Sequence, residues 1–578
     1  MNLKPFADFF VTTLPRFVLC LTQRYRTVTC FMFSLLAGLS VMPQQALAAP
    51  DAGAILQQLE SRPAPALQAP VLKTPEVPTP ADGAPAGPVV RVNAFRIEGA
   101  TLLSTQILQT ALTGFVQRDL SLTQLQEAAW VITQIYRQAG WLVNAFVPQQ
   151  EIEDGVVLIQ VSEALLGQVK VDIQPGVRID AEQIQRMVQA QVQVGQPLNV
   201  DAVDHALMLM SELAGVVASG TYAPSQTEGA TDVLVVVGGG KPVDVQFSVD
   251  NHGARTTGAQ RTSVGLNFNS VLGLGDQFSV NLINSEGSSY QRAAVSVPVG
   301  DQGLRLGVHS SQMHYGFDWN STAISGMART WGADVSGALL RSPGQSWSWS
   351  VNTDQKQFQN LANEAISSAY RIELARASVN GSWQDSWLSA AQSSLSVSLT
   401  SGQVNNPADT TGVDGHFSKL NLSYNREQSL GDKLSAFVQA QSQSASGNLD
   451  SSEKLYLGGP SGVRAYPVNE VGGATGYALT TGLRQRLGQG WIASGFADWG
   501  RVSVCQSLLQ ACLKSGQPNV QSLQGLGASV QWQTEPGLAF NATWSHRRGS
   551  NPLANVAGQD SDQTRVINRL WLSAAVSF

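Results

Sequence analysis

The chain has 578 residues, of which 13% are charged and 43% hydrophobic, with 54 glycines and a formal net charge of −6. A weakly acidic balance leaves no electrostatic footprint for nucleic acid, and no nucleic-acid partner is expected. Apart from one N-terminal segment, no apolar run approaches the roughly 20 residues that a transmembrane helix requires.

That segment, Cys30 to Met42, is too short to span. It follows Arg16, Arg24 and Arg26 and is followed by Ala46-Leu47-Ala48, a small-x-small cleavage site. Residues 1–48 therefore read as a secretory signal with a long positive region. Neither Cys20 nor Cys30 follows the small residue that lipoprotein processing needs, so no lipid anchor is expected. Cleavage leaves Cys505 and Cys512, whose spacing in an oxidising compartment suggests a local disulfide pinning a loop, with unpaired thiols as the alternative. Two thiols without a nearby histidine are too few for zinc, and no metal or other cofactor is expected.

Residues 49–61 carry a short helical pattern with Ile55, Leu56 and Leu59 on one face. Residues 62–88 are dense in proline and alanine, an extended linker whose roughly 25 residues reach some 75 Å at about 3 Å each. Residues 89–164 read strand, helix, helix, strand, strand. A first strand covers Val90 to Ile97, a long helix starts at Ser121 and ends at Gly140, and strands follow at Leu142 to Val147 and Val156 to Val161. Residues 165–239 repeat that order, with helices from Asp180 and from Val200 to Leu213, and strands at Val169 to Ile173, Val216 to Tyr222 and Asp232 to Val237. Each unit is large enough for a small α+β core and offers no catalytic cluster.

From residue 240 to 578 the period is two. In Val243-Asp244-Val245-Gln246-Phe247-Ser248-Val249-Asp250 every odd residue is apolar and every even one polar. Val264, Leu266 and Phe268 alternate with polar or small residues in the same way, as do Leu538, Phe540, Ala542 and Trp544. At the end of the chain Leu570, Leu572, Ala574, Val576 and Phe578 share one face; Ser573, Ala575 and Ser577 share the other, with Trp571 as its one bulky exception. One greasy face and one wet face, repeated over about 340 residues at roughly 20 per strand and loop, predict a mainly β chain with a transmembrane β-barrel of about 16 strands. The terminal aromatic Phe578 suits a barrel-assembly signal. A soluble β-sandwich would leave both the secretory signal and that ending unexplained.

The barrel region holds no Ser/His/Asp constellation, metal cluster or paired carboxylates in apolar context, so no enzyme is expected. It does hold Gly458-Gly459-Pro460-Ser461-Gly462-Val463-Arg464-Ala465-Tyr466-Pro467, whose glycine and proline density means a tightly folded loop. An arginine on a long inward loop needs a carboxylate partner. Phe496-Ala497-Asp498-Trp499-Gly500 offers Asp498, on the strand face opposite Ala497 and Trp499.

Together these features resemble the outer-membrane transporters of two-partner secretion (TpsB, the haemolysin secretion/activation proteins of type V secretion). They belong to a superfamily that includes the barrel-assembly machinery. In the first module, which resembles a polypeptide-transport-associated (POTRA) domain, the likeness rests on Phe95 to Gly99, Tyr136 to Trp141 and Val147 to Gln150. In the second it rests on Gly195 to Leu198 and Leu213 to Val216, and at the barrel entry on Asp250 to Gly253, Gly258 and Leu272 to Asp276. Val463-Arg464-Ala465-Tyr466 is similar to the family's loop-tip motif, with Ala465 where glycine is usual; Phe496, Asp498 and Gly500 fit its partner-strand motif. Alanine there would strain the tip if the position needed a positive φ.

The resemblance implies two POTRA modules in the periplasm, a Gram-negative outer-membrane barrel, and a short helix and a loop lodged in its lumen. It also implies an Arg464–Asp498 ion pair. The implied function is capture of an unfolded adhesin- or haemolysin-like exoprotein and its passage through the barrel; the two rival readings are a barrel assembly or insertion factor, and a passive porin or receptor. Outer-membrane lipid and, during biogenesis, the barrel-assembly machinery are the other expected partners. No ATP site or ion-coupling residue is visible, so folding of the cargo outside is the expected driving force.

Overall fold

The computed structural model describes residues 50–60, 89–227, 229–319, 321–507, 512–513, 518–534 and 537–578. The predicted signal and linker lie outside the described residues. The first described element is helix α1, Ala52–Glu60.

Module 1 contains β1 (Val90–Val92), β2 (Ala94–Glu98), α2 (Thr105–Ala111), β3 (Arg118–Leu120), α3 (Leu122–Gln138), β4 (Val143–Phe146) and β5 (Val156–Glu163). The single strand expected over Val90 to Ile97 is two. At Asn93 the chain changes partner: β1 pairs antiparallel with β3, and β2 pairs parallel with β5. Helix α3 starts at a capping box, in which Ser121 and Gln124 satisfy each other's backbone N–H groups. It lays Leu125, Ala128, Ala129, Ile132 and Tyr136 against Val157, Ile159 and Val161 of the sheet.

Module 2 contains β6 (Leu165–Ile173), α4 (Ala181–Gln189), α5 (Val200–Ser211), β7 (Val216–Pro224) and β8 (Ala230–Gly239). Its sheet order is β6-β8-β7, leaving β7 as an edge. The two modules are joined through their backbones: Val200 N donates to Gly140 O (2.7 Å), Leu142 N to Leu198 O (3.1 Å) and Leu198 N to Ala164 O (2.8 Å). Two of the motifs quoted above, Tyr136 to Trp141 and Gly195 to Leu198, thus meet in this joint.

The barrel comprises β9 (Val243–Asp250), β10 (Arg261–Asn269), β11 (Gln277–Asn284), β12 (Ser288–Val299), β13 (Leu304–Trp319), β14 (Thr322–Ser342), β15 (Gln345–Ala362), β16 (Ala365–Asp385), β17 (Ala391–Asn405), β18 (Gly415–Ser429) and β19 (Leu434–Ala445). After a long loop containing β20 (Leu455–Leu457) and β21 (Val471–Gly473) it continues with β22 (Thr475–Gly488), β23 (Trp491–Ser503), β24 (Val520–Gln533), β25 (Leu538–Arg547) and β26 (Asn568–Ser577). All 16 barrel strands pair antiparallel with their neighbours, and β26 closes onto β9. No described helix is long and apolar enough to cross a membrane; strands supply the crossing. Leu306, Val308, Val379, Leu399, Leu420, Leu526 and Leu570 are exposed on the outer face.

Strand β14, at 21 residues, is about twice the 9–11 that a bilayer needs. Outward-facing Arg371 and Glu373, an ion pair on β16, lie on the part of the wall that outreaches the apolar belt. Module 2 sits against the barrel turns at the opposite end, where Glu212 pairs with Arg341 and Ala214 O accepts from Ser270 Oγ (2.5 Å). The Leu272 to Asp276 motif forms that contact. The Asp276 carboxylate accepts from the backbone N–H groups of Val271 (3.1 Å) and Leu272 (3.0 Å), and the turn it holds offers Leu274 O to Gln183 Nε2 (3.1 Å).

Candidate functional site in the barrel lumen

The segment from 446 to 474, between β19 and β22, folds back into the barrel instead of projecting from it. Strands β20 and β21 make its hairpin stem, and its tip is the glycine-rich motif. Gly459 N donates to Tyr466 O (3.1 Å) and Tyr466 N to Val463 O (3.1 Å), which closes the tip on itself. Val463, Ala465 and Tyr466 are buried with Leu457 of the loop's own stem and with Val502 and Leu523 of the wall.

Arg464 projects from this tip onto β23. Its Nε donates to Asp498 Oδ2 (2.8 Å) and its Nη2 to Asp498 Oδ1 (2.6 Å), a two-pronged pair, while its backbone N donates to Asp498 Oδ2 (3.1 Å). Thr480 Oγ1 on β22 donates to the same carboxylate (2.8 Å). The guanidinium carbon lies 3.2 Å from the centroid of the Phe496 ring, adding a cation–π contact. The alternation of β23 produces this arrangement: Phe496, Asp498 and Gly500 face inward, while Trp499 is exposed outside. Gly500 is small for a steric reason. A Cβ there would fall 2.8 Å from Leu457 Cδ2 and 3.1 Å from Val463 Cγ2.

Ala465 is absent from the non-glycine residues with positive φ, so the strain that alanine would cause there does not arise. Its methyl is accommodated by Gly525 on β24, where an added Cβ would come within 2.8 Å of Ala465 Cβ.

Several partners of the tip escaped the sequence reading. Arg464 O accepts from Ser545 Oγ (2.6 Å) and from Trp571 Nε1 (2.8 Å). Trp571, the bulky exception on the small face of the last strand, is there to reach the loop; that exception was the available signal. The guanidinium carbon of Arg547 lies 4.6 Å from the centroid of the Tyr466 ring. Higher in the loop, buried Glu453 accepts from Lys356 Nζ (2.8 Å) and is 2.8 Å from Lys419 Nζ, cations that project inward from β15 and β18. Glu470 accepts from Asn551 Nδ2 (2.5 Å), tying the loop's return arm to the segment between β25 and β26.

Helix α1 lies in the same lumen. Ile55, Leu56 and Leu59 pack on Ile283, Tyr290, Met313, Tyr315, Phe358 and Ile372 of the wall. The lumen is therefore not uniformly wet: where the helix rests, the inward face is apolar. Polar contacts hold both helix ends. Ala52 N donates to Asn360 Oδ1 (2.9 Å), and Glu60 Oε1 accepts from Tyr290 Oη (3.3 Å) and Ser311 Oγ (3.2 Å). The loop grips it too, with Ser451 Oγ donating to Asp51 Oδ1 (2.7 Å) and Asn469 Nδ2 to Ala54 O (3.1 Å). At Gly53 an added Cβ would come within 2.9 Å of Ser452 N, so the helix and loop approach at backbone distance.

Cys505 and Cys512 are joined by a disulfide beyond the end of β23. Next to it, Asn448 Oδ1 accepts from Gln506 N (2.9 Å) and Ser507 N (3.1 Å), so the linked segment touches the start of the inward loop. No group of metal-ligating side chains occurs among the described residues. Phe578 ends the chain half-exposed, its N donating to Val245 O (3.0 Å) across the closure.

Residues 229–510 match the family described as haemolysin secretion/activation protein ShlB/FhaC/HecB, and residues 90–164 match the POTRA domain, ShlB-type. Among curated proteins the chain is similar to the heme/hemopexin transporter protein HuxB of Haemophilus influenzae (strain 86-028NP), with 25% identity over 497 residues, covering 82% of this chain and 84% of the relative. It is similar to the outer membrane transporter CdiB of Escherichia coli at 25% identity over 483 residues, covering 79% and 81%. In fold it resembles the solved structure of CdiB from Escherichia coli, with a TM-score of 0.65 at 19% identity over 91% of this chain and 95% of the other.

Proposed function

Because the chain belongs to the ShlB/FhaC/HecB family of haemolysin secretion/activation proteins, we propose that it is the outer-membrane transporter of a two-partner secretion system. It captures an unfolded exoprotein in the periplasm through its POTRA modules and passes it through the barrel.

The observation that carries this reading is a barrel lumen occupied by two parts that are not strands of its wall, helix α1 and the inward loop. The helix is held by side-chain contacts and the loop by ion pairs, and neither is a strand of the wall. The modules suit capture. Edge strand β7 offers an unpaired side to which an extended chain can add through backbone hydrogen bonds, with little demand on the passenger's sequence. The Arg464–Asp498 pair keeps one loop position at rest, and transport requires it to shift. The Cys505–Cys512 disulfide pins the segment that touches the loop's entrance. Residues 1–48 direct export to the periplasm, and insertion uses the barrel-assembly machinery with Phe578 in its signal.

The test is export of a partner exoprotein, or an N-terminal fragment of it, from a Gram-negative host expressing the full chain. Removing residues 89–239 should abolish export while the barrel still reaches the outer membrane. Export at the normal rate by a barrel lacking both modules would overturn the capture role.

A further inference from the structure

The motif Asp250-Asn251-His252-Gly253 stands where strand β9 ends, at the seam that closes the barrel. Pairing between β26 and β9 runs from Phe578, bonded to Val245, through Ser577 opposite Gln246, and stops at Ser573 opposite Asp250. Strand β26 continues to Asn568 along its other neighbour, β25. Above Asp250, then, β26 has backbone groups on its seam side with no strand to receive them. Open sheet edges are not tolerated against lipid, because nothing there satisfies their N–H and C=O groups.

Asn251 takes their place. Its backbone N donates to Leu572 O (3.1 Å), its Nδ2 donates to Leu570 O (2.9 Å), and its Oδ1 accepts from Leu572 N (2.8 Å). A primary amide carries one donor group and one acceptor, like a peptide unit, and here it extends the ladder past the end of the strand. Asp250 fixes the motif beneath it. Its Oδ1 accepts from His252 N (2.9 Å) and Arg261 Nε (2.8 Å), and its Oδ2 from Arg261 Nη2 (3.2 Å).

The next residue reaches the two lumen parts. His252 O accepts from Gln58 Nε2 of helix α1 (3.1 Å). The His252 ring meets the Trp571 ring edge-on, centroids 6.0 Å apart at 77°. Trp571 Nε1 in turn donates to Arg464 O at the loop tip (2.8 Å). Seam, helix and loop tip therefore converge on two adjacent residues.

We infer that Asn251 is a side-chain clasp on the barrel seam and that His252 couples it to the helix and the loop tip, so that the three loosen together. The use of this coupling in export rests on the transport reading above, whereas the coupling itself belongs to the resting barrel.

The test is single-channel recording of the full chain in planar bilayers, after heat-modifiable mobility has verified that each variant is a folded barrel. Asn251→Ala, and Asn251→Asp, which keeps the size but sets a carboxylate against Leu570 O, should each raise opening frequency at least tenfold. Joining Gln246→Cys to Ser577→Cys with a short bis-thiol reagent should return Asn251→Ala to the parental frequency. Combined with deletion of residues 51–60, Asn251→Ala should add little to the deletion alone. Trp571→Phe removes the indole N–H and shortens the ring that meets His252, and leaves the seam backbone intact. It should raise opening as well, and it keeps the test alive if Asn251→Ala assembles poorly.

Unchanged openings in the Asn251 variants, persistence of openings after the seam is joined, or effects that simply multiply would each overturn the inference. Secretion is measured separately. Coupled openings in a protein that exports nothing would remove the transport reading and leave the clasp, and export with independent openings would do the reverse.

Discussion

Asp498→Ala is the most direct perturbation of the resting state. The Asp498 side chain is 1% exposed, and its carboxylate accepts from Arg464 N, Nε and Nη2 and from Thr480 Oγ1. Its removal leaves a guanidinium and a backbone N–H without their acceptor. Deleting one partner of a buried pair costs about 3–5 kcal/mol, and the Arg464 side chain, at 17% exposure, retains some water, which points to the lower end. About 3 kcal/mol is a shift of about 10² in the ratio of docked to undocked loop. Hydrogen exchange over residues 458–467 reads this directly, since the Arg464 N–H is itself a donor to Asp498. Protection there should fall by about 10², and export should be strongly impaired while the protein still reaches the membrane. Arg464→Ala should behave alike, and Arg464→Lys should recover little, because an ammonium cannot supply the two-pronged geometry or stack on Phe496. Unchanged protection, or strict additivity of Arg464→Ala with Asp498→Ala in a double-mutant cycle on export, would refute the reasoning.

Deleting residues 51–60 should raise single-channel conductance while largely sparing export, and Gly53→Val, by forcing the helix off the Ser452 backbone, should raise it in the same direction. Unchanged conductance in both would remove the helix as a plug. On edge strand β7, Thr221→Pro should cut export severely where Thr221→Ala is mild, as measured by secreted exoprotein at equal barrel levels. In module 2, burial and then the neighbouring Asp201 raise the Asp204 carboxyl to about 6, and its Oδ1 has no hydrogen-bond partner among the described residues. A raised acid binds its proton more tightly when folded, so its stabilising share is present at low pH and lost as pH rises from about 4 through about 6. Helix α5 should exchange faster at pH 7.5 than at pH 5 after correction for intrinsic rates, and Asp204→Asn should flatten that difference.

Much of the barrel was readable because lipid and water impose a two-residue alternation that survives in single strands such as Val243 to Asp250. The same alternation assigned Asp498 to the inner face, and charge compensation nominated its partner. What alternation conveys poorly is the apolar part of the inner wall. Ile372 and Leu374 on β16 face the helix, not lipid, and in sequence an apolar residue does not declare which side it greases. Glu453, Lys356 and Lys419 were silent for another reason: each is an ordinary charge locally, and only the fold brings residues from distant strands together. Asn251 is a similar case, its partners Leu570 and Leu572 lying more than 300 positions away. The split of the first strand at Asn93 depended on which neighbour each half found, again a matter of tertiary pairing.

The apolar wall under helix α1 has a consequence for leakage. When the helix withdraws, Met313, Tyr315, Phe358 and Ile372 face water, and so do Ile55, Leu56 and Leu59 on the departing helix unless they find other cover. At about 1.5–3 kcal/mol for each large side chain, the three helix residues alone represent about 5–9 kcal/mol of re-exposed surface before the entropy regained by the freed segment is set against it. An empty open pore thus carries a hydrophobic bias toward the helix's return, opposed by the entropy of the freed segment. A passing polypeptide removes that bias, because its side chains coat the stripe as they go by. The stripe therefore favours a passage filled by a chain over one filled by ions and small solutes, which coat nothing.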